Sequence, residues 1–204
     1  KTNDRRQTTD DPRPQMDADF SIELGRDDPV LDFPWTDPTG QLAYFDLKRH
    51  PELLAKVEEA MKFPELADFL RSINSMRSPF ESAKCDAWST GELSVEEDIF
   101  NASHKFASYI DIVSSGATQR QSFDFHEKFA RKLTDLLRRA PEMRALAEVC
   151  VRRCFFAESE QTREGFYITF YVNGFGEDES AAQKNWAIAL KLAENAILQV
   201  AATV

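Results

Sequence analysis

The side chains best suited to ligand chemistry alternate along three stretches of this sequence that have strand character. Period-two alternation puts each of three sets on one face of its own strand: Asp86 with Trp88, Tyr109 with Asp111, and Tyr167 with Tyr171 and Asn173. Aromatic rings that carry polar atoms, flanked by carboxylates, can hold a polar or cationic ligand or a partner's chain. If the three sets share one side of a single sheet, these seven residues form a ligand- or partner-binding face.

The same face could instead be covered by a second layer of core. Four aromatic residues in the N-terminal part of the chain are able to cover it: Phe33, Trp35, Tyr44 and Phe45. The two arrangements differ in whether solvent reaches the tyrosines, and the sequence leaves both open.

Cysteine and histidine are scarce in this chain, with three residues of each, whereas its 35 carboxylates are too many to single out a catalytic pair. Cys85 adjoins Asp86, but nothing in the sequence places a histidine beside it to act as a base. Cys150 and Cys154 lack the paired spacing of common structural zinc sites and are typical of buried, inert thiols. We therefore predict no catalytic residue, no metal and no cofactor. Whether the protein is an enzyme stays undecided at this level.

Composition and charge restrict the class of partner. The chain has 204 residues, of which 42% are hydrophobic, as expected for a soluble globular domain. Its formal net charge of −10 repels nucleic acid and anionic membrane surfaces, and its basic residues are scattered. No apolar run approaches the ~20 residues of a membrane span. We expect neither nucleic acid nor a membrane as a partner.

Cysteine usage bears on the cellular compartment. Three cysteines, an odd number, provide no disulfide framework and favour a reducing compartment, the cytoplasm. Because the chain begins at Lys1 rather than Met, a signal peptide removed upstream is the alternative. No feature of the sequence indicates an oligomeric state.

The stretch "EGFYITFY", residues 164–171, has the aromatic residues of an RNA-binding strand but not the pattern. Glutamate stands where the RNA-recognition consensus has a basic residue, and Tyr167 stands where it has a small one. Phe166, Ile168 and Phe170 alternate as a purely apolar face. We predict a core strand here.

Strands and long helices are predicted to position the candidate residues. Strands are expected at 19–24, 82–90 and 104–116, and in the segments "RRCFFAESE" and "GFYITFYVNGFG". Amphipathic stripes predict helices at 122–140 and 178–201. Three prolines and two glycines predict an irregular loop at 25–40.

Shorter helices are predicted where proline and glutamate come together. Proline followed by glutamate is typical of a first helical turn and occurs near the start of residues 50–62, 63–75 and 140–149. We predict a helix in each of these three segments.

The order of these elements predicts an α+β fold. We expect a single antiparallel sheet of about four or five strands, with amphipathic helices packed on one face and an irregular proline-rich N-terminal segment. Residues 1–18 have no periodic apolar pattern, which predicts a disordered or surface-draped arm, and residues 19–204 are predicted to form a single domain. No set of motifs in the chain matches a known family residue by residue.

Two functions are compatible with the sequence. The first is non-catalytic binding or protein interaction through the polar–aromatic sheet face, with an unknown small molecule or protein as the partner. The alternative is a small-molecule enzyme whose site lies between the sheet and the N-terminal segment. The lack of a recognisable catalytic motif favours the first.

Overall fold

The computed structural model describes residues 16–94, 97, 100–141, 143–158 and 161–203. Its strands, in chain order, are β1 (Asp17–Glu23), β2 (Val30–Phe33), β3 (Phe80–Thr90), β4 (His104–Ser114), β5 (Ala145–Glu158) and β6 (Gln161–Gly176). Its α-helices are α1 (Glu58–Lys62), α2 (Pro64–Ile73), α3 (Ala117–Gln121), α4 (Phe123–Leu137) and α5 (Glu179–Ala201). A 3-10 helix, Pro51–Lys56, leads into α1.

The described strands form one mixed sheet in the order β1-β5-β6-β4-β3, and β2 also pairs with β5. The pairs β3–β4, β4–β6 and β6–β5 are antiparallel, whereas β1 and β2 run parallel to successive parts of β5. The predicted α+β class is confirmed. The predicted purely antiparallel sheet of four or five strands is wrong, because the N-terminal segment supplies two parallel strands.

Strand β2 lies within the loop predicted at 25–40. Its side chains alternate, with Leu31 and Phe33 buried and Val30 and Asp32 exposed. Four residues are too few for this alternation to stand out among prolines, and pairing with β5 is what makes the segment a strand.

The helix predicted at 140–149 is also wrong, since β5 begins at Ala145. Ala145, Ala147 and Val149 are fully buried at period two. Strand β5 has β6 on one side and β1 on the other, so its main-chain groups find partners in two neighbouring strands. That pairing outweighs the helix propensity of the alanines and glutamates.

Helices α1, α2, α4 and α5 pack on one face of the sheet and enclose the main core. Ser122 caps α4 and Asp178 caps α5, and each side chain accepts a hydrogen bond from an N–H three residues along. Near the centre of the core, the buried Trp186 of α5 donates a 2.8 Å hydrogen bond from its indole nitrogen to Ser108 Oγ on β4. Trp186 thus joins α5 to β4 within the main core.

The arm predicted at 1–18 lies mostly outside the described residues, since 1–15 are not described. Met16 is buried, and Asp17 and Ala18 begin β1.

Candidate functional site

The seven candidate residues all lie on the sheet face opposite the helices. In the strand register Asp86 pairs with Tyr109, and Tyr109 pairs with Tyr171. Trp88 and Asn173 both pair with Ala107, from opposite sides. Because facing residues of neighbouring strands point to the same side of a sheet, the three predicted sets come together.

Strand β3 contains a β-bulge just before its candidate residues. The register shifts between Ser82 and Lys84, so one extra residue, Ala83, interrupts the alternation. Ser82 contacts Asn74 on the helix side, whereas Lys84 and Asp86 face the opposite side. Sequence alternation alone contains no signal for this shift.

The N-terminal segment covers one end of the face. Leu31 and Phe33 of β2 form a second buried cluster with Tyr167, and Trp35 and Tyr44 pack against it. Tyr167 is only 3% exposed, and its burial raises the pKa of the phenol to about 12. This candidate residue therefore lies inside a core layer. Three of the four aromatic residues named as a possible cover take part in that layer.

Phe45, the fourth of those aromatic residues, packs against the main core instead. The other half of the face is open to solvent. Trp88 is 40% exposed, Asp86 is exposed, and Tyr109, Tyr171 and Asn173 are half-buried.

A polar network crosses the middle of the face. Thr169 Oγ1 donates to Asp111 Oδ1 at 2.6 Å and accepts from Arg152 Nη1 at 2.9 Å. The Arg152 guanidinium also reaches Tyr171 Oη, at 3.1 Å, and Glu23 Oε2, at 2.6 Å from Nη2. Burial raises the pKa of the Asp111 carboxyl to about 6, against the Thr169 hydrogen bond and the charges of nearby cations.

This network includes Arg152, Thr169 and Glu23, which the sequence reasoning did not single out. Thr169 could have been found, because it shares the parity of Tyr167 and Tyr171. Arg152 and Glu23 could not, because their strands become neighbours only in the folded sheet.

A cavity of about 600 Å³ adjoins the open half of the face. Strand β3 contributes the stretch 82–86, and β4 contributes Tyr109. Apolar walls come from the N-terminal segment and α1, through Trp35, Leu42, Phe45 and Val57. The charged lining residues are Lys56, Glu58, Glu59, Lys84 and Asp86.

The N-terminal wall of the cavity is held in place by specific hydrogen bonds. Trp35 Nε1–H donates to the carbonyl of Ala83 at 2.7 Å, and Thr36 forms a bridge with Ala43. Asp37 Oδ1 accepts from the Leu42 N–H at 2.7 Å, and Asp37 also bonds the Thr39 hydroxyl. These contacts close a turn and present Leu42, 64% exposed, at the mouth of the cavity.

The charges of the cavity leave two carboxylates available. Lys84 Nζ lies 4.7 Å from the centroid of the Trp35 ring, and Glu58 pairs with Lys62 at 3.6 Å. Glu59 and Asp86 form no ion pair with any described residue. Glu59 and Asp86 can therefore each accept a cation, while Lys56 and Lys84 add two positive charges to the same lining.

The thiol at the cavity wall is a poor nucleophile. Burial, followed by the charges of Glu59, Asp86 and Asp111, raises the pKa of Cys85 to about 12. None of the residues that line the cavity is a histidine. The thiol is held protonated, with no imidazole among the lining groups to activate it.

A second acidic group lies on the same face, at β1 and β5. One ligand atom each of Glu23, Glu148 and Cys150 lies within 4.8 Å of the others. However, the Arg152 guanidinium bonds to Glu23, and burial raises the pKa of the Cys150 thiol to about 12. Both features oppose the binding of a metal ion at this group.

The chain matches no protein-family model, no curated protein and no solved structure. In the part of the chain that the structure describes, no helix is long and apolar enough to cross a membrane.

Proposed function

We propose that this protein is a non-catalytic binding domain that holds a cationic group, from a small molecule or a partner protein, between β3, α1 and the N-terminal segment. The polar–aromatic sheet face adjoins this cavity and contributes to the same binding surface. One observation carries the proposal: Asp86 and Tyr109, two residues selected by strand alternation alone, line a cavity of about 600 Å³.

The carboxylates and aromatic rings of the lining favour a cation beside Asp86, and the positive charges of Lys56 and Lys84 in the same lining oppose it. Two carboxylates, Glu59 and Asp86, have no cationic partner among the described residues, and the phenol of Tyr109 lies between Asp86 and Tyr171 in the strand register. Tyrosine and tryptophan rings attract cations through their π faces. Apolar walls beside these groups lower the local dielectric and strengthen the attraction.

A catalytic role for the same cavity has less support. An enzyme located between the sheet and the N-terminal segment would use this space, but its one thiol has a strongly raised pKa. Asp111, whose pKa is raised to about 6, is bonded to Thr169 and is not a lining residue. The groups that could take up a proton near neutral pH are thus not directed at the space where a substrate would lie.

Titration of the ¹⁵N-labelled protein with L-arginine amide tests the proposal. We expect saturable chemical-shift changes confined to the amides of the residues that line the cavity, on β3, on β4, in α1 and in the N-terminal segment, and to the neighbouring Trp88 indole. For so small a probe the Kd should lie in roughly the millimolar range. Asp86→Asn should weaken binding about tenfold, because it removes the charge but keeps the shape of the side chain.

The matched control is Asp135→Asn, which neutralises an exposed carboxylate on α4, outside the cavity. It should leave the titration unchanged. Shifts spread evenly over the acidic surface, or equal affinity in Asp86→Asn and wild type, would overturn the proposed function.

A further inference from the structure

The cavity runs along the outer edge of β3, the last strand of the sheet. Its lining includes Ser82 and Cys85, whose side chains face the helices, and Lys84 and Asp86, whose side chains face the opposite side. A space bordered by side chains from both faces of one strand must lie against the edge of that strand. Strand β3 pairs only with β4 among the described strands, so no described strand covers this edge.

Hydrogen bonds outside the sheet show which main-chain groups of β3 point outward. The Ser82 N–H donates to Asn74 Oδ1 at 3.0 Å, and the Ala83 carbonyl accepts from Trp35 at 2.7 Å. Further along, the Ala87 N–H donates to Asp86 Oδ1 at 2.7 Å. Because alternate residues of an edge strand point outward, the N–H and C=O of Cys85 are directed into the cavity, and those of Ser89 continue the same edge.

We propose that the cavity receives an extended segment of a partner polypeptide, which adds a strand to the β3 edge and carries a lysine or arginine beside Asp86. This inference rests on the proposed function and specifies the partner. Strand addition uses main-chain hydrogen bonds for affinity and alternate side chains for specificity.

The two sides of the cavity define the sequence pattern of that segment. Phe45 and Val57, which pack against the main core, wall the helix side, whereas Asp86 and Tyr109 lie on the opposite side. An added strand directs successive side chains to opposite sides. The segment should therefore place an apolar residue on the helix side next to a basic residue on the other.

The net charge of the protein favours a basic foreign segment over a second copy of this chain. The bulge at Ser82/Lys84 precedes Cys85, so an added strand would pair with β3 from Cys85 onward. With a protein net charge of −10, a basic segment is attracted and another copy is repelled.

The test uses a fluorescently labelled peptide of nine residues with a central lysine and both termini blocked. Threonines occupy the positions on the lysine's side of the strand, and valines occupy the alternate positions. Fluorescence anisotropy against the full chain should show saturable binding. Replacing the central lysine by glutamate should weaken binding at least about tenfold, and so should Asp86→Asn in the protein, while Asp135→Asn should have no effect.

The decisive control uses two further versions of the lysine peptide. In one the backbone nitrogens of the odd-numbered residues are methylated, and in the other those of the even-numbered residues. Methylation keeps the side chains and removes main-chain donors, so one of the two versions should lose binding at least about tenfold. Equal affinity of both methylated peptides, or no binding of the lysine peptide while L-arginine amide still binds, would overturn strand addition and leave the proposed function standing. Failure of both probes would overturn both.

Light scattering tests the other possible occupant of the β3 edge, a second copy of this chain. A monomer without peptide is the expected result. A dimer that the lysine peptide does not dissociate would assign the edge to a second copy and overturn the inference.

Discussion

Thr169 on β6 joins two charged groups from the strands on either side of it. Its hydroxyl donates to Asp111 on β4 at 2.6 Å and accepts from Arg152 on β5 at 2.9 Å. Asp111 is 6% exposed and Arg152 is 8% exposed. One hydroxyl thus provides a hydrogen-bond partner for both a buried carboxyl and a buried guanidinium, which do not contact each other directly.

Asp111 should make the stability of the protein depend on pH. Its folded-state pKa of about 6 lies above its ordinary value of 3.8 because burial disfavours the charged form. The Asp111 carboxyl therefore holds a proton more tightly in the folded state than in the unfolded state. The stability that this difference contributes is fully present below pH ~4 and is lost as the pH rises through about 6. The loss amounts to up to ~3 kcal/mol in the free energy of unfolding.

Urea denaturation of wild type and Asp111→Asn between pH 4 and pH 7.5 measures this effect. Relative to wild type, the variant should gain stability as the pH rises, because asparagine has no charge to desolvate. Asp135→Asn should follow the wild-type curve. Parallel curves for Asp111→Asn and wild type would show that Asp111 does not titrate in this range.

The two tyrosines of β6 should differ in their effect on stability. Tyr167 lies in the cluster with Leu31 and Phe33, whereas Tyr171 is half-buried and bonded to Arg152. Tyr167→Ala should reduce the free energy of unfolding by about 3–5 kcal/mol, as for a large aromatic residue in a core. Tyr171→Ala should cost less than half as much.

The same pair of variants separates core from binding surface. Tyr171→Ala should also weaken the binding of L-arginine amide, and Tyr171→Phe, which keeps the ring, should retain most of it. If both alanine variants lost several kcal/mol, the open half of the face would be part of the core, and the binding-face hypothesis would have to be abandoned.

Gly174 of β6 allows α5 to approach the sheet closely. A Cβ at this position would lie 2.1 Å from the main-chain nitrogen of Trp186 and 2.4 Å from the carbonyl oxygen of Ala182. Since these are backbone atoms, they cannot move aside without shifting the helix. Gly174→Ala should reduce the free energy of unfolding by about 3 kcal/mol, measured by urea denaturation.

Gly91→Ala is the matched control, because its Cβ would meet only the Ser103 carbonyl oxygen, at 3.8 Å. It should change the free energy of unfolding by less than about 0.5 kcal/mol. Unchanged stability in Gly174→Ala would mean that α5 does not rest directly on this strand.

Several parts of this fold follow from local sequence alone. The alternation in β6 separates Ile168 and Phe170 from Tyr167 and Tyr171, because the pleat of any strand sends neighbouring side chains to opposite faces. The apolar stripes of α4 and α5 are likewise properties of single segments. The set of residues that became the candidate face was recognisable for this reason.

Other features depend on partners that are distant in the sequence. Ala145 begins a strand rather than a helix because β1 and β6 flank it, and β2 is a strand because β5 pairs with it. The side chain of Asp86 faces the same side as Tyr109 because β3 and β4 pair in a register that neither strand's own alternation reveals. The candidate site residues also differ in burial. The N-terminal segment covers Tyr167, whereas Asp86 and Trp88 are exposed to solvent. Alternation is a property of each strand's own backbone, whereas pairing, register and cover are contacts between segments far apart in the chain, so only the folded chain specifies them.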